Sequence, residues 1–199
     1  MTEPVVFYDV DTQVDFMSPL GNLYVPGAER IIPNLVALMS YAREHDIPVL
    51  SSADAHTPDD PEFVIWPPHC VIGTAGQRRI PETQFPDAVI VPHRQGAFTP
   101  QRPWPKQVII EKPTYTSSDN PNFDTVLEAL GRRRCVMFGV ATEYCVRADA
   151  LALRERDWPV DLVTDAIKEI KPQDGRKAID KMVAVGVRLV RTADVCAAG

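Results

Sequence analysis

Residues 135–156 read CVMFGVATEYCVRADALALRER, and two periodicities meet inside them. Cys135 to Gly139 is an apolar run of the length of a buried strand, whereas residues 143 to 156 space their apolar side chains as a helix does. A strand running straight into a helix is the repeating unit of a parallel sheet, because parallel neighbours need a crossover to join them. Cys145 falls in the first turn of that helix, with Thr142 as the expected N-cap. Unpaired N–H groups and the positive end of the helix dipole favour a thiolate there, and the same groups could hold an oxyanion once that thiolate attacks a carbonyl. A buried structural cysteine is the competing reading, since free cysteines are commonly buried and inert.

The same unit recurs on either side. Val5 to Val10 is a strand-length apolar run ending in Asp11, and Ile47 to Ala53 is another ending in Asp54. Between them Ile31, Leu35, Leu38, Met39 and Ala42 recur three and four apart, which predicts a helix over residues 28 to 45. Gln107 to Glu111 is a strand leading to Lys112, and Asn122 is the expected N-cap of a helix carrying Phe123, Val126, Leu127 and Leu130 before Gly131. Val160 to Thr164 is a strand, Asp174 to Val185 a helix closed by Gly186, and Val187 to Val190 a last strand. The alternation predicts an α/β fold, a three-layer α/β/α arrangement with a central, mostly parallel, Rossmann-like sheet, in one domain spanning residues 1–199. Ligands of such sheets collect beyond the carboxyl ends of the strands, so Asp11, Asp54, Lys112 and Cys145 are expected to face one crevice.

Nineteen prolines are present, most of them between Pro58 and Pro121, so residues 57–106 read as a loop region. Its part from Pro81 to Pro105 is expected to act as a lid or an oligomer contact. The net charge of −6 and a pI near 5.2 oppose binding to nucleic acid. The apolar runs are too short to span a bilayer, and Met1 to Pro4 begins no export signal; a cytoplasmic protein with no membrane partner is expected. Cys70, Cys135, Cys145 and Cys196 form no C-x-x-C pair, which fits free thiols in a reducing compartment.

A nucleophilic cysteine with no adjacent histidine needs a base and often a cation, and Asp11 and Lys112 are candidates for those roles. Asp54, His56 and His69 form a carboxylate and two imidazoles suited to Zn, Fe or Mn, with positions left for water or substrate. Without further information, a turn-capping Asp54 and two surface histidines explain the same pattern equally well. No glycine-rich nucleotide loop and no His-Glu-x-x-His motif occurs, and Leu151 stands where a Cys-x5-Arg phosphatase loop needs its arginine.

Taken together, Asp11-x-Gln13-x-Asp15-Phe16, Val25-Pro26-Gly27-Ala28 and the run from Gly139 to Val146 resemble the signatures of the isochorismatase-like cysteine hydrolases. Asp54-x-His56 and Trp66-Pro67-Pro68-His69-Cys70-Val71-x-Gly73-Thr74 resemble the metal site of the nicotinamidase (pyrazinamidase) subgroup, which isochorismatases lack. The resemblance implies that subgroup's fold, Cys145 as nucleophile, Asp11 as base, Lys112 as cation, and the backbone N–H groups of Ala141 and Cys145 as oxyanion hole. It further implies a divalent metal (Zn, Fe or Mn) on Asp54, His56 and His69, substrate contacts from Phe16, Trp66 and Tyr144, a cis Val140-Ala141 peptide and a homo-oligomer. The implied activity is hydrolysis of nicotinamide to nicotinate and ammonia through a thioester; another small amide or ureide is the alternative substrate, and a non-catalytic relative the remaining one. The segment from His56 to His69 lacks the subgroup's Asn-His-x-Ser-Phe run, which leaves the fourth ligand open, with Glu62 as a candidate.

Overall fold

A computed structural model describes residues 4–197. Seven strands form one sheet: β1 (Val5–Val10), β2 (Val49–Asp54), β3 (Val89–Val91), β4 (Gln107–Lys112), β5 (Arg134–Val140), β6 (Val160–Lys168) and β7 (Arg188–Val190). Their spatial order is β3-β4-β2-β1-β5-β6-β7 and every pairing is parallel. The helices are α1 (Val14–Met17), α2 (Ile32–Glu44), α3 (Phe123–Leu130), α4 (Arg147–Glu155), α5 (Pro172–Ala184) and α6 (Thr192–Cys196).

Strand alternation divides the apolar side chains between two cores. Val6, Tyr8 and Val10 of β1 point to the face covered by α3, α4 and α5, where Phe123, Val126, Leu153 and Met182 are buried. Phe7 points the other way, onto Leu35, Leu38 and Met39 of α2. This is the three-layer arrangement expected from the sequence, and the sheet is parallel throughout.

Several local expectations are corrected. The predicted loop region contributes β3, an edge strand on β4 held between Pro86 and Pro92, so part of the Pro81 to Pro105 stretch completes the sheet rather than hanging over the site. Proline tolerates that position because an edge strand leaves one row of N–H groups unpaired. The helix predicted over 28 to 45 opens with a 3-10 turn at Ala28–Ile31, and β6 runs four residues past Thr164. Asn122 does precede α3, but its side chain makes no cap: its amide donates to the carbonyl of Arg94 (2.8 Å) and accepts from Phe98 N (3.3 Å), tying the proline-rich segment down.

The largest local departure lies after β5. Thr142 is not the N-cap of an α-helix; Ala141 holds that position, and Thr142–Val146 is one π-helical turn leading into α4. The Ala141 carbonyl accepts from Tyr144 N (3.1 Å) and Val146 N (3.3 Å), the second being the i to i+5 bond that widens the turn. The Val140-Ala141 peptide is cis, as the resemblance implied.

Gly139 sets how closely β5 approaches β1 at the sheet's carboxyl end. Its φ is +117°, and a Cβ there would stand 2.0 Å from the Val10 carbonyl oxygen. Gly139→Ala is therefore expected to lower unfolding free energy by about 3 kcal/mol or more, combining backbone strain with a backbone collision, as read from urea denaturation.

Candidate active site

Four adjacent strands end in the candidate residues. Lys112 closes β4, Asp54 closes β2, Asp11 follows β1 directly, and Cys145 lies in the turn after β5. Asp54 and Lys112 are register partners, so their side chains leave the sheet side by side.

Lys112 is wholly buried, a position an ammonium tolerates only when paired. Its Nζ lies 2.8 Å from Asp11 Oδ2 and donates to Asp54 Oδ1, to the Thr114 carbonyl (2.9 Å) and to Cys145 Sγ (3.6 Å). Burial acts to lower its pKa, but the two carboxylates outweigh it and hold the ammonium well above the usual lysine range. Asp11 also accepts from Ser52 Oγ at 2.6 Å. Burial pushes the Asp11 carboxyl up, against the pull of Lys112. Burial likewise raises the Cys145 thiol well above its ordinary value, with Lys112 opposing. The resting nucleophile candidate is thus a thiol, with a carboxylate and an ammonium against it; Asp11, Asp54 and Cys145 place their polar atoms within 4.8 Å of one another.

Asp54 divides its carboxylate. Oδ1 takes Lys112, while Oδ2 lies 3.6 Å from both His56 Nε2 and His69 Nε2. Burial opposes its ionisation, yet Lys112 and the imidazoles prevail and hold it below the carboxylate range. His56 Nδ1 lies 3.0 Å from Asp60 Oδ2, and His69 Nδ1 lies 2.9 Å from the Pro67 carbonyl, so outer groups orient both rings. Nε2 of His56 is buried with no hydrogen-bond partner and belongs, with Asp54 and His69, to a set of ligand atoms lying within 4.8 Å of one another. An orphaned imidazole nitrogen in such a set fits a divalent cation. Glu62 is not in that set; it lines the neighbouring pocket, its carboxyl raised by burial.

Phe16, Trp66 and Tyr144 line one pocket with Asp54, His69, Ala141 and Cys145. The Phe16 ring lies 5.5 Å from the His69 ring. Leu23, Val25, Tyr115 and Ile170 complete the wall without having been foreseen. Ile170 is held by Glu143, whose carboxylate accepts from Ile170 N (3.0 Å) and Lys171 N (2.8 Å). A roomier cleft of about 790 Å³ lies at the amino ends of the strands, opposite the candidate site, among Tyr41, His45, Arg134 and Asp161.

Gln13 and Asp15, quoted above only as motif letters, have structural tasks. Gln13 brackets the Asp54 peptide, accepting from its N–H (2.7 Å) and donating to its carbonyl (2.8 Å). Asp15 accepts from Cys70 N at 2.7 Å and from Asn22 N at 3.0 Å, linking the histidine loop to α1.

With this geometry in view, the isochorismatase domain family matches residues 6–194. The chain belongs to that family. It is similar to the nicotinamidase of Saccharomyces cerevisiae, at 28% identity over 91% of this chain and 96% of the yeast one. A pyrazinamidase of Pyrococcus horikoshii, solved in complex with zinc, superposes with a TM-score of 0.79 at 30% identity, covering 94% of this chain and 98% of that one. An N-carbamoylsarcosine amidase of Thermoplasma acidophilum does so at 0.74 and 25% identity, over 96% and 97% of the two chains. These relatives group the chain with hydrolases of amide C–N bonds, in the nicotinamidase and pyrazinamidase branch. Among the described residues no helix is long and apolar enough to cross a membrane.

One turn beyond Cys145, Asp149 is buried and accepts from Ser117 N (2.6 Å), Ser117 Oγ (3.0 Å) and Tyr8 Oη (3.0 Å). Burial pushes its carboxyl up to about 6, against Lys112. Its folded pKa lies above the unfolded value, so the folded state holds the extra proton between the two and stability falls as pH rises through that window. Relative to Asp149→Asn, the parent protein should lose on the order of 3 kcal/mol between about pH 4 and pH 6, measured from urea midpoints.

Proposed function

We propose that the chain hydrolyses nicotinamide to nicotinate and ammonia through a thioester on Cys145. The observation that carries this reading is the adjacency of two sets: Cys145 with Lys112 and Asp11, and the Asp54, His56 and His69 cluster, meeting at an aromatic-walled pocket.

Asp11 takes the Cys145 proton, and Lys112 beside both stabilises the thiolate formed. The thiolate attacks the carboxamide carbon, and the charge that moves to its oxygen is met by the backbone N–H groups of Ala141 and Cys145. Asp11 returns its proton to the departing nitrogen as the C–N bond breaks, so ammonia leaves and a thioester remains. Asp11, again a carboxylate, takes a proton from water as that water attacks the thioester; the acid departs and the proton returns to the thiol. Asp54, His56 and His69 would hold a divalent ion, Zn, Fe or Mn, which when bound would supply an electrophilic centre for anchoring a heterocyclic substrate. Phe16, Trp66 and Tyr144 bound the flat ring, and the charged atoms at the pocket's base meet the amide.

Purified protein is expected to release ammonia from nicotinamide, to lose this on chelation and to regain it with Zn, Fe or Mn. No turnover with any metal would sink this substrate, and release from a small ureide instead would establish the alternative reading. Cys145→Ala should lower kcat/KM by about four orders of magnitude or more while keeping the metal. His56→Ala should lower the bound metal per chain, measured by elemental analysis, whatever the substrate proves to be.

A further inference from the structure

The pocket beside Cys145 has a cavity of only about 30 Å³, room for a water or two, where small-molecule sites run to roughly 300 Å³ or more. No aromatic amide fits that volume, so something must move before a substrate can reach the sulfur. Three rings from three separate segments close the space. Trp66 Nε1 donates to Tyr115 Oη at 2.9 Å, the Trp66 and Tyr144 rings meet edge to face at 5.5 Å, and Tyr115 lies 5.4 Å from Tyr144. Tyr115 is the most exposed of the three, with 39% of its surface open to solvent.

Which part moves follows from how each segment is anchored. On one side of Tyr115, the Thr114 carbonyl accepts from Lys112 Nζ at 2.9 Å. On the other side, Thr116 Oγ1 and Ser117 N donate to Asp149 at 3.2 and 2.6 Å. The backbone is therefore pinned before and after Tyr115 by the same buried charges that surround Cys145, and a swing of the loop would break those bonds. Tyr144 adjoins Cys145 in the π-helical turn and Trp66 lies three residues before His69, so a shift of either backbone would displace the site, and both residues are less exposed than Tyr115. The Tyr115 side chain, held by one exposed hydrogen bond, can rotate on a fixed backbone at little cost.

We propose that Tyr115 is the gate and size filter of this site: its ring turns outward to admit substrate, and the room it vacates is that of one aromatic ring. The filter selects flat amides with a single unsubstituted ring. The size limit rests on the amidase reading above, whereas the gate concerns access to Cys145 alone.

The experiment compares wild type, Tyr115→Ala and Tyr115→Phe in two arms. In the first, modification of the Cys145 peptide by iodoacetamide and by the two-ringed N-phenylmaleimide is timed by mass spectrometry. Tyr115→Ala should speed N-phenylmaleimide about tenfold or more and iodoacetamide less than about threefold, a discrimination of the size that pocket volume supports. Tyr115→Phe keeps the ring and loses only the bond to Trp66, so it should speed the larger reagent by a few-fold; it decides the matter if Tyr115→Ala does not fold. Equal responses of the two reagents, or none, would overturn the gate. In the second arm, kcat/KM for 5-methylnicotinamide relative to nicotinamide should rise about tenfold in Tyr115→Ala, and an unchanged ratio would overturn the filter. A wild type that hydrolyses neither amide would refute the nicotinamidase reading and the size limit together, while the first arm would still decide the gate.

Discussion

A buried ammonium governs the architecture of this site. Lys112 has no exposed surface, and its cost is met only because two carboxylates, a carbonyl and a sulfur converge on it from four directions. That convergence needs the carboxyl ends of β4, β2, β1 and β5 to be neighbours in space, which the strand order β3-β4-β2-β1-β5-β6-β7 supplies. Chain order alone would not: β1 and β5 lie at opposite ends of a long stretch of sequence and meet because the chain builds one side of the sheet before returning to the other. The crevice opens where the connections diverge, as it does in doubly wound sheets generally.

The same lysine connects the two chemical sets. Asp54 offers one oxygen to Lys112 and the other to the imidazoles, so any group held by His56 and His69 is coupled electrostatically to the surroundings of Cys145. The precision this demands comes from side chains outside both sets. Gln13 grips the Asp54 peptide at both its N–H and its carbonyl, as a neighbouring strand would, and Asp15 grips the peptide after His69. Gly76 permits the second contact, because a Cβ there would stand 2.1 Å from an Asp15 carboxylate oxygen. Both polar side chains come from the segment following β1, which thereby sets Asp11, the cluster of Asp54, His56 and His69 and, through Phe16, one wall of the pocket.

How much of this the sequence discloses depends on the range of the interaction involved. The apolar runs ending at Asp11, Asp54 and Lys112, and the run leading into Cys145, are local signals, and the sheet they predict is the sheet observed. Strand β3 is only Val89 to Val91 between two prolines; its pairing with β4, not its composition, makes it a strand. The π-helical turn depends on a bond from Val146 N to the Ala141 carbonyl, which no periodicity announces. Gln13 and Asp15 could be quoted from a motif, but their partners lie at Asp54 and Cys70, far along the chain. Tyr115 had a faint signal, as an aromatic residue three places beyond Lys112. Ile170 had none, since the bond from its N–H to Glu143 joins residues far apart in the chain.

Charge balance bears on how a thiol with a raised pKa could serve the proposed reaction as nucleophile. Around Cys145, the buried ammonium faces two carboxylates, and loss of the thiol proton to solvent would add another negative charge where burial already penalises it. Passing that proton to Asp11 changes no net charge: the anion moves from a carboxylate oxygen to sulfur, with Lys112 in contact with both. The raised pKa of Asp11 and that of Cys145 share one first cause, burial, and Lys112 opposes it at both groups. A solvated cysteine would ionise more readily but would forfeit the strengthened attraction of Lys112 that a dry site provides. In the proposed reaction the proton passes between Cys145 and Asp11 inside this buried set of charges, and the burial of Lys112 keeps the ammonium against both.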